Sequence, residues 1–217
     1  MLSISRRLAR FRRSVWNVVL DLRYGAVLRG TVATMYPEKG VTETANTAYD
    51  VLSEVFPPGS IREGDVLVDV GCGKGRVLNW WLSRGYRNKI IGIELDPAIA
   101  EQTRRRLRRF HNVCVITGDV IENLPPDGTV YYLYNPFTLP VVRAFSDRLA
   151  RSLDGSKEVR IYYFHPSSAS LAVFENDPRW QIAERRPADK LWSEGDVAVI
   201  RPARAHTGGG GTYHPAS

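Results

Sequence analysis

Cysteine is nearly absent from the chain, with only Cys72 and Cys114 in 217 residues. That excludes a disulfide framework and a cysteine-built zinc site, so a reducing compartment, the cytoplasm, is the expected location. Long apolar runs are also missing. None approaches the ~20 residues that a membrane-spanning helix needs. The start of the chain is punctuated by arginine and lacks the apolar stretch of a secretory leader. What remains, 43% hydrophobic and 24% charged residues, is ordinary globular composition at the length of one domain.

Acid is scarce near the start. Residues 1–30 hold seven arginines (Arg6, Arg7, Arg10, Arg12, Arg13, Arg23 and Arg29) against the single Asp21, so this arm carries six of the formal +7 charge and the remainder is nearly neutral. The surplus belongs to the arm and not to the body, and nucleic acid is therefore not the favoured partner. Between Leu2 and Leu20, the residues Leu2, Ile4, Leu8, Phe11, Val15 and Trp16 alternate with five arginines and no acid. Such a basic amphipathic helix is open to two readings. Either it packs its apolar side on the domain, or residues 1–20 make a peripheral contact with an anionic membrane or a partner. The run Arg104-Arg-Arg-Leu-Arg-Arg109 reads as the solvated face of a helix in preference to a phosphate-binding stripe.

From Asp65 onward short β-type runs alternate with helical patterns, the mark of a parallel sheet covered by helices. Strands are predicted at 66–70, 89–95, 112–117, 129–135 and 159–164, with helices between them. Val77, Leu78, Trp81 and Leu82 share one helical face, and Val141, Phe145, Leu149 and Leu153 share another. Asp96-Pro97 supplies an N-cap and a first-turn proline. A short helix near 168–175 follows. Two last runs, 180–186 and 196–200, have no crossover helix between them and fit an antiparallel pair. The stretch 204–217, with four consecutive glycines, reads as a flexible tail.

The sharpest local feature is Asp69-Val-Gly-Cys-Gly-Lys-Gly75, a predicted strand running into glycines and then into a helix. Glycine lets backbone approach a ligand closely, and a helix N-terminus presents unpaired N–H groups. The spacing G-x-G-x-G, with an acid two residues before the first glycine, differs from the G-x-G-x-x-G of the dinucleotide fingerprint. That argues against a nicotinamide oxidoreductase.

The segment Val66-Leu-Val-Asp-Val-Gly-Cys-Gly-Lys-Gly75 resembles the first signature motif of class I S-adenosylmethionine-dependent methyltransferases. The resemblance implies a Rossmann-like α/β three-layer sandwich, with a seven-stranded, mostly parallel sheet ending in an antiparallel hairpin, plus an N-terminal helical arm. It implies S-adenosylmethionine as cofactor, held at its methionine half by Asp69, Gly71, Cys72, Gly73 and Gly75. Glu94, at the end of the second strand, matches the acid that takes both ribose hydroxyls. Asp119, after the third, matches the acid that receives the adenine amino group, though a helix cap is the plain alternative. A softer similarity, through Asp21-Leu-Arg-Tyr-Gly25 and Asn46-Thr-Ala-Tyr49, extends to bacterial methyltransferase-like proteins and distantly to Dot1-like lysine methyltransferases. It implies that Thr44, Asn46 and Tyr49 line the methionine end. Against that stands Tyr49 as a core residue of a helix running to Phe56.

Tyr134-Asn-Pro-Phe137 closes the fourth strand and is similar to the [N/D/S]-P-P-[F/Y/W] motif of amino-methyltransferases, one proline short. The similarity implies catalytic roles for Asn135, Pro136 and Phe137, with nitrogen as the favoured methyl acceptor. The alternative is a turn whose Phe137 packs in the core. His165, at the end of the fifth strand, is a candidate general base. The acceptor itself stays unidentified, and a non-catalytic S-adenosylmethionine-binding scaffold is the competing function. The expected organisation is an arm and cap over residues 1–60, a methyltransferase domain over 61–203 and the tail 204–217.

Overall fold

The computed structural model describes residues 4–28, 30, 46–134, 137–153, 157–187 and 195–203, with backbone alone for 4–10. Helices α1 (Ile4–Arg23) and α2 (Tyr49–Val55) precede β1 (Val66–Val70), α3 (Arg76–Ser83), β2 (Lys89–Glu94), α4 (Pro97–Leu107) and β3 (Val113–Thr117). Then come α5 (Val120–Asn123), β4 (Val130–Tyr134), α6 (Leu139–Ser152), β5 (Arg160–Phe164), α7 (Ser168–Glu175), β6 (Trp180–Arg186) and β7 (Val197–Pro202). The strands form one sheet in the order β3-β2-β1-β4-β5-β7-β6. β1 to β5 run parallel, and β7 pairs antiparallel with both β5 and β6. The predicted seven-stranded Rossmann-like sheet with an antiparallel end is what the chain adopts.

The central strands read as near-continuous apolar runs because both of their faces are covered. One face packs Leu67, Ile90 and Tyr132 against Leu20, Leu52, Leu78, Trp81 and Leu107, residues of α1 to α4. The other packs Val68, Ile91, Tyr131 and Tyr163 against Val120, Phe145, Leu149 and Phe174 from α5, α6 and α7. Capping fixes where helices begin. Asp96 accepts from the amides of Ala98 at 2.8 Å and Ile99 at 3.1 Å, with Pro97 in the first turn, and Ser167 caps α7 through Ser170 N.

α1 docks the opposite way from the packing expected of an amphipathic helix. Its domain-facing side carries Arg13, Asn17 and Asp21 beside Leu20 and Tyr24. Arg13 Nε donates to Asp50 at 2.9 Å, Asn17 Oδ1 accepts from Tyr49 N at 3.1 Å, and Asp21 is fully buried. Phe11, Val15, Trp16, Val19 and Leu22 are left exposed. Polar residues can serve at that interface because each finds a partner, which removes the cost of burying them.

Candidate functional site

In a doubly wound sheet, ligands sit outside the carboxyl ends of the strands where the strand order reverses. Here that point lies between β1 and β4. The turn after β1 is stapled to the end of β2: the amides of Gly71 and Cys72 both donate to Ile93 O, at 2.9 and 2.8 Å. Gly71, Gly73 and Gly75 all have positive φ, 76°, 50° and 75°, conformations that side chains with a Cβ resist. Gly75 has a second reason to be glycine, since a Cβ there would lie 2.8 Å from Thr103 Cγ2 on α4. It is the N-cap of α3 and offers no side chain to the helix amides.

Two carboxylates flank this turn. Glu94, 7% exposed, accepts from Gly73 N at 2.7 Å through Oε2 and from Asp96 N at 2.9 Å through Oε1. Each oxygen keeps a further lone pair for a ligand hydroxyl. Burial raises its pKa against the opposing pull of those amides. Asp69, 2% exposed, lies on β1 opposite Gly92 of β2, and its Oδ2 has no hydrogen-bond partner among the described residues. Burial first, and the nearby Glu94 charge second, push its carboxyl well above the usual range. An orphaned carboxylate oxygen inside a protein is costly unless something else satisfies it. Cys72 is buried, and its thiol is pushed up by burial and then by Asp69 and Glu94. Half-buried Asp119 caps α5, its Oδ1 accepting from Ile121 N at 2.7 Å. The cap alternative is thus realised with one oxygen.

Behind the turn lies a buried network that sequence reasoning missed. Asp21 accepts from Arg76 Nη2 at 2.7 Å, Arg76 Nε at 3.2 Å, Tyr49 Oη at 2.8 Å and Leu28 N at 3.0 Å. Asn79 donates to Tyr49 Oη at 3.2 Å, and burial raises the Tyr49 phenol far above its usual value. Tyr49 is therefore a core residue, as the alternative reading had it. Its hydroxyl holds α1 and α2 against α3. Asn46 donates to Leu28 O at 2.7 Å, and the Thr47 hydroxyl lies 2.7 Å from that of Tyr132. The clue was the Asp21-to-Gly25 and Asn46-to-Tyr49 resemblance, whose residues the fold brings together around Arg76.

The Arg104–Arg109 run is neither a solvated face nor a phosphate stripe along its length. Arg104 donates to Val115 O and Thr117 Oγ1 on β3. Arg106 donates to Lys74 O in the glycine turn, to Tyr24 O and to Asn79 Oδ1.

At the acceptor end, Asn135 and Pro136 lie outside the described residues, as do Thr44 and the tail 204–217. The half-buried ring of Phe137 packs against the apolar cluster beneath α5 to α7. Tyr134 and Phe164, at the ends of β4 and β5, have ring centroids 5.2 Å apart. His165 is exposed, takes a positive φ of 54°, and donates its amide to Asp196 O at 2.7 Å. A left-handed non-glycine residue at a strand end is a strained position of the kind found at functional sites.

Residues 67–155 match the family model described as "Methyltransferase domain". The chain is 24% identical over 86 residues to the ribosomal RNA small subunit methyltransferase A of Syntrophus aciditrophicus, covering 40% of this chain and 30% of the relative. It is 35% identical over 77 residues to a "Probable cobalt-precorrin-6B C(15)-methyltransferase (decarboxylating)" of Pyrobaculum aerophilum, covering 33% and 39%. The chain thus spans well under half of these relatives. A crystal structure of an RNA methyltransferase from Salinibacter ruber, in complex with S-adenosyl-L-homocysteine, superposes with a TM-score of 0.55 at 22% identity, over 72% of this chain and 92% of that one. That likeness is one of fold.

Proposed function

We propose that this chain, whose residues 67–155 match a methyltransferase domain, is a class I S-adenosylmethionine-dependent methyltransferase that binds its cofactor on the Asp69–Gly75 turn and methylates a nitrogen nucleophile at the end of β4. The observation that carries the cofactor half is the carboxylate pair. Asp69 keeps an unpartnered buried oxygen beside a turn whose next carboxylate, Glu94, holds that turn through Gly73 N. A ligand with hydroxyl and ammonium donors fits both: Glu94 takes neighbouring hydroxyls with its remaining lone pairs, and Asp69 faces the amino-acid end. Asp119 has a second oxygen to offer an adenine amine while its first caps α5. Tyr49 acts as a positioning residue through Asp21 and Arg76.

The bound cofactor supplies an electrophilic methyl group, so the protein needs chiefly to align the acceptor and keep water away. Asn135 is the residue we assign to the acceptor: its side-chain carbonyl accepts from the target nitrogen and orients the lone pair toward the methyl group. Phe137, two residues further on, packs against the core. The RNA named in some relatives is not carried over, because the arginine surplus sits in the arm and the body is nearly neutral.

Titration calorimetry tests the cofactor half. The wild-type chain takes up S-adenosylmethionine and not NAD, and Glu94→Gln, which keeps the shape but loses the charge, weakens uptake by about tenfold or more. Uptake of NAD alone would sink the reading. For the acceptor half, Asn135→Ala binds cofactor as the wild type does but no longer transfers labelled methyl in an acceptor screen. Full transfer by that variant removes Asn135 from the reaction. Binding with no transfer to any acceptor, by the wild type, favours the scaffold function instead.

A further inference from the structure

We propose that α1 is a docking helix for an anionic lipid surface, inserting Phe11, Val15, Trp16, Val19 and Leu22 among the lipids. Among the described residues, the large apolar side chains that stand out as exposed are Phe11 at 67%, Val15 at 46%, Trp16 at 56%, Val19 at 51%, Leu22 at 58% and Val27 at 47%. All six lie on α1 or just after it. Scattered exposed apolar residues need no explanation, whereas a contiguous stripe on one element does. At 100° per residue these α1 positions fall on a single face, and Ile4 and Leu8 continue the same spacing in the sequence.

The face is not waiting for the domain, because the domain already holds the other side. Arg13, Asn17 and Asp21 bind Asp50, Tyr49 and Arg76, so turning the helix to bury its apolar stripe would break a buried ion pair. Charge selects the occupant. α1 carries six arginines, of which Arg13 is paired with Asp50, and its one acid, Asp21, is buried and neutralised by Arg76. Exposed Arg12 and Arg23 fall on the same outward face, between Val19 and Trp16 at 100° per residue, and exposed Arg108 and Arg109 stand near its C-terminal end, where Arg109 donates to Arg23 O at 2.7 Å. A second copy of the same face would bring arginine against arginine. An anionic bilayer accepts both the apolar side chains and the arginines among them, whose long stems let the guanidinium reach the headgroups. No helix among the described residues is long and apolar enough to cross a membrane, so the contact is with one surface. Because Asp21 grips Arg76, the first residue of α3, seating α1 would fix the glycine turn relative to the lipid.

Sedimentation with vesicles decides it. The full chain pellets with vesicles of phosphatidylglycerol and phosphatidylcholine in equal parts and not with phosphatidylcholine alone, and added salt weakens binding. Val15→Glu/Val19→Glu lowers the apparent affinity by about tenfold or more. Both positions are exposed, and an unchanged circular dichroism spectrum and melting temperature verify that this variant folds. Bound wild type shows a blue-shifted tryptophan emission that Trp16→Phe largely removes. Failure of the wild type to pellet, or equal pelleting by the double variant, overturns the proposal. So does light scattering that finds a dimer in the wild type, a monomer in the double variant and no vesicle binding in either, which would make a second copy the occupant.

Discussion

At the scale of single residues, the glycines of the candidate site were legible because the turn makes a backbone demand that few residues can meet, while its acids were picked out by the resemblance alone. The positive φ at Gly71, Gly73 and Gly75 and the close approach of Thr103 to Gly75 require glycine, and spacing alone located all three. The electrical state of Asp69 was not legible, since it arises from burial and from Glu94, a residue 25 positions away in the chain that parallel pairing brings close. A carboxyl whose folded pKa is raised binds more protons folded than unfolded. Stability is therefore greatest below the ordinary aspartate range and falls as pH climbs through the window up to the raised folded value. Asp69→Asn has no such titration, so the urea midpoint of the wild type should drop relative to this variant as pH rises through that window. A gap that does not change with pH would show that Asp69 is not raised. Ligand donors at Asp69 favour its ionised form, so uptake of S-adenosylmethionine in the same window should release a proton. Calorimetry in buffers of different ionisation heat reads that release, and it should vanish in Asp69→Asn.

At the scale of elements, periodicity found the strands within a residue or two because central parallel strands are apolar on both faces and stand out as runs. Strand order was beyond reach in detail: nothing in β7 (Val197–Pro202) announces that it inserts between β5 and β6. The single turn of α5 is too short to carry a period. α1 was found but its orientation stayed open between two readings, because amphipathicity says which side is apolar and not which side the rest of the chain can satisfy. The answer lay in Asp21 and Arg76, 55 residues apart, with side-chain exposures of 0% and 8%. Removing one member of such a pair strands the other inside the protein at a cost of ~3–5 kcal/mol, while replacing both with residues of similar shape costs much less. Urea unfolding should accordingly find Arg76→Met strongly destabilised and Asp21→Leu/Arg76→Met closer to the wild type than either single change. Additive losses would mean that the two residues are not coupled in the folded protein.

At the scale of the whole molecule, the arm and the sheet share one core. Leu20 and Tyr24 belong to the same buried cluster as Leu67, Ile90 and Tyr132, and Asp21 reaches the start of α3. Nearly all of the charge surplus falls in the arm, and the methyltransferase match begins only at residue 67, yet burial runs across that division. Deleting residues 1–23 would strand Arg76, at ~3–5 kcal/mol, and give up the burial of Leu20, at ~1.5–3 kcal/mol. Against a total stability of ~5–15 kcal/mol that is a large fraction. At ~2–4 °C per kcal/mol for a chain of this size, the melting temperature should fall by about ten degrees or more. Cofactor affinity should fall with it, since Arg76 follows directly on Gly75. A truncated chain that melts with the wild type and keeps its affinity would make the arm a separable appendage. A lower melting temperature with affinity intact would mean that Asp21 supports α3 without setting the geometry of the glycine turn.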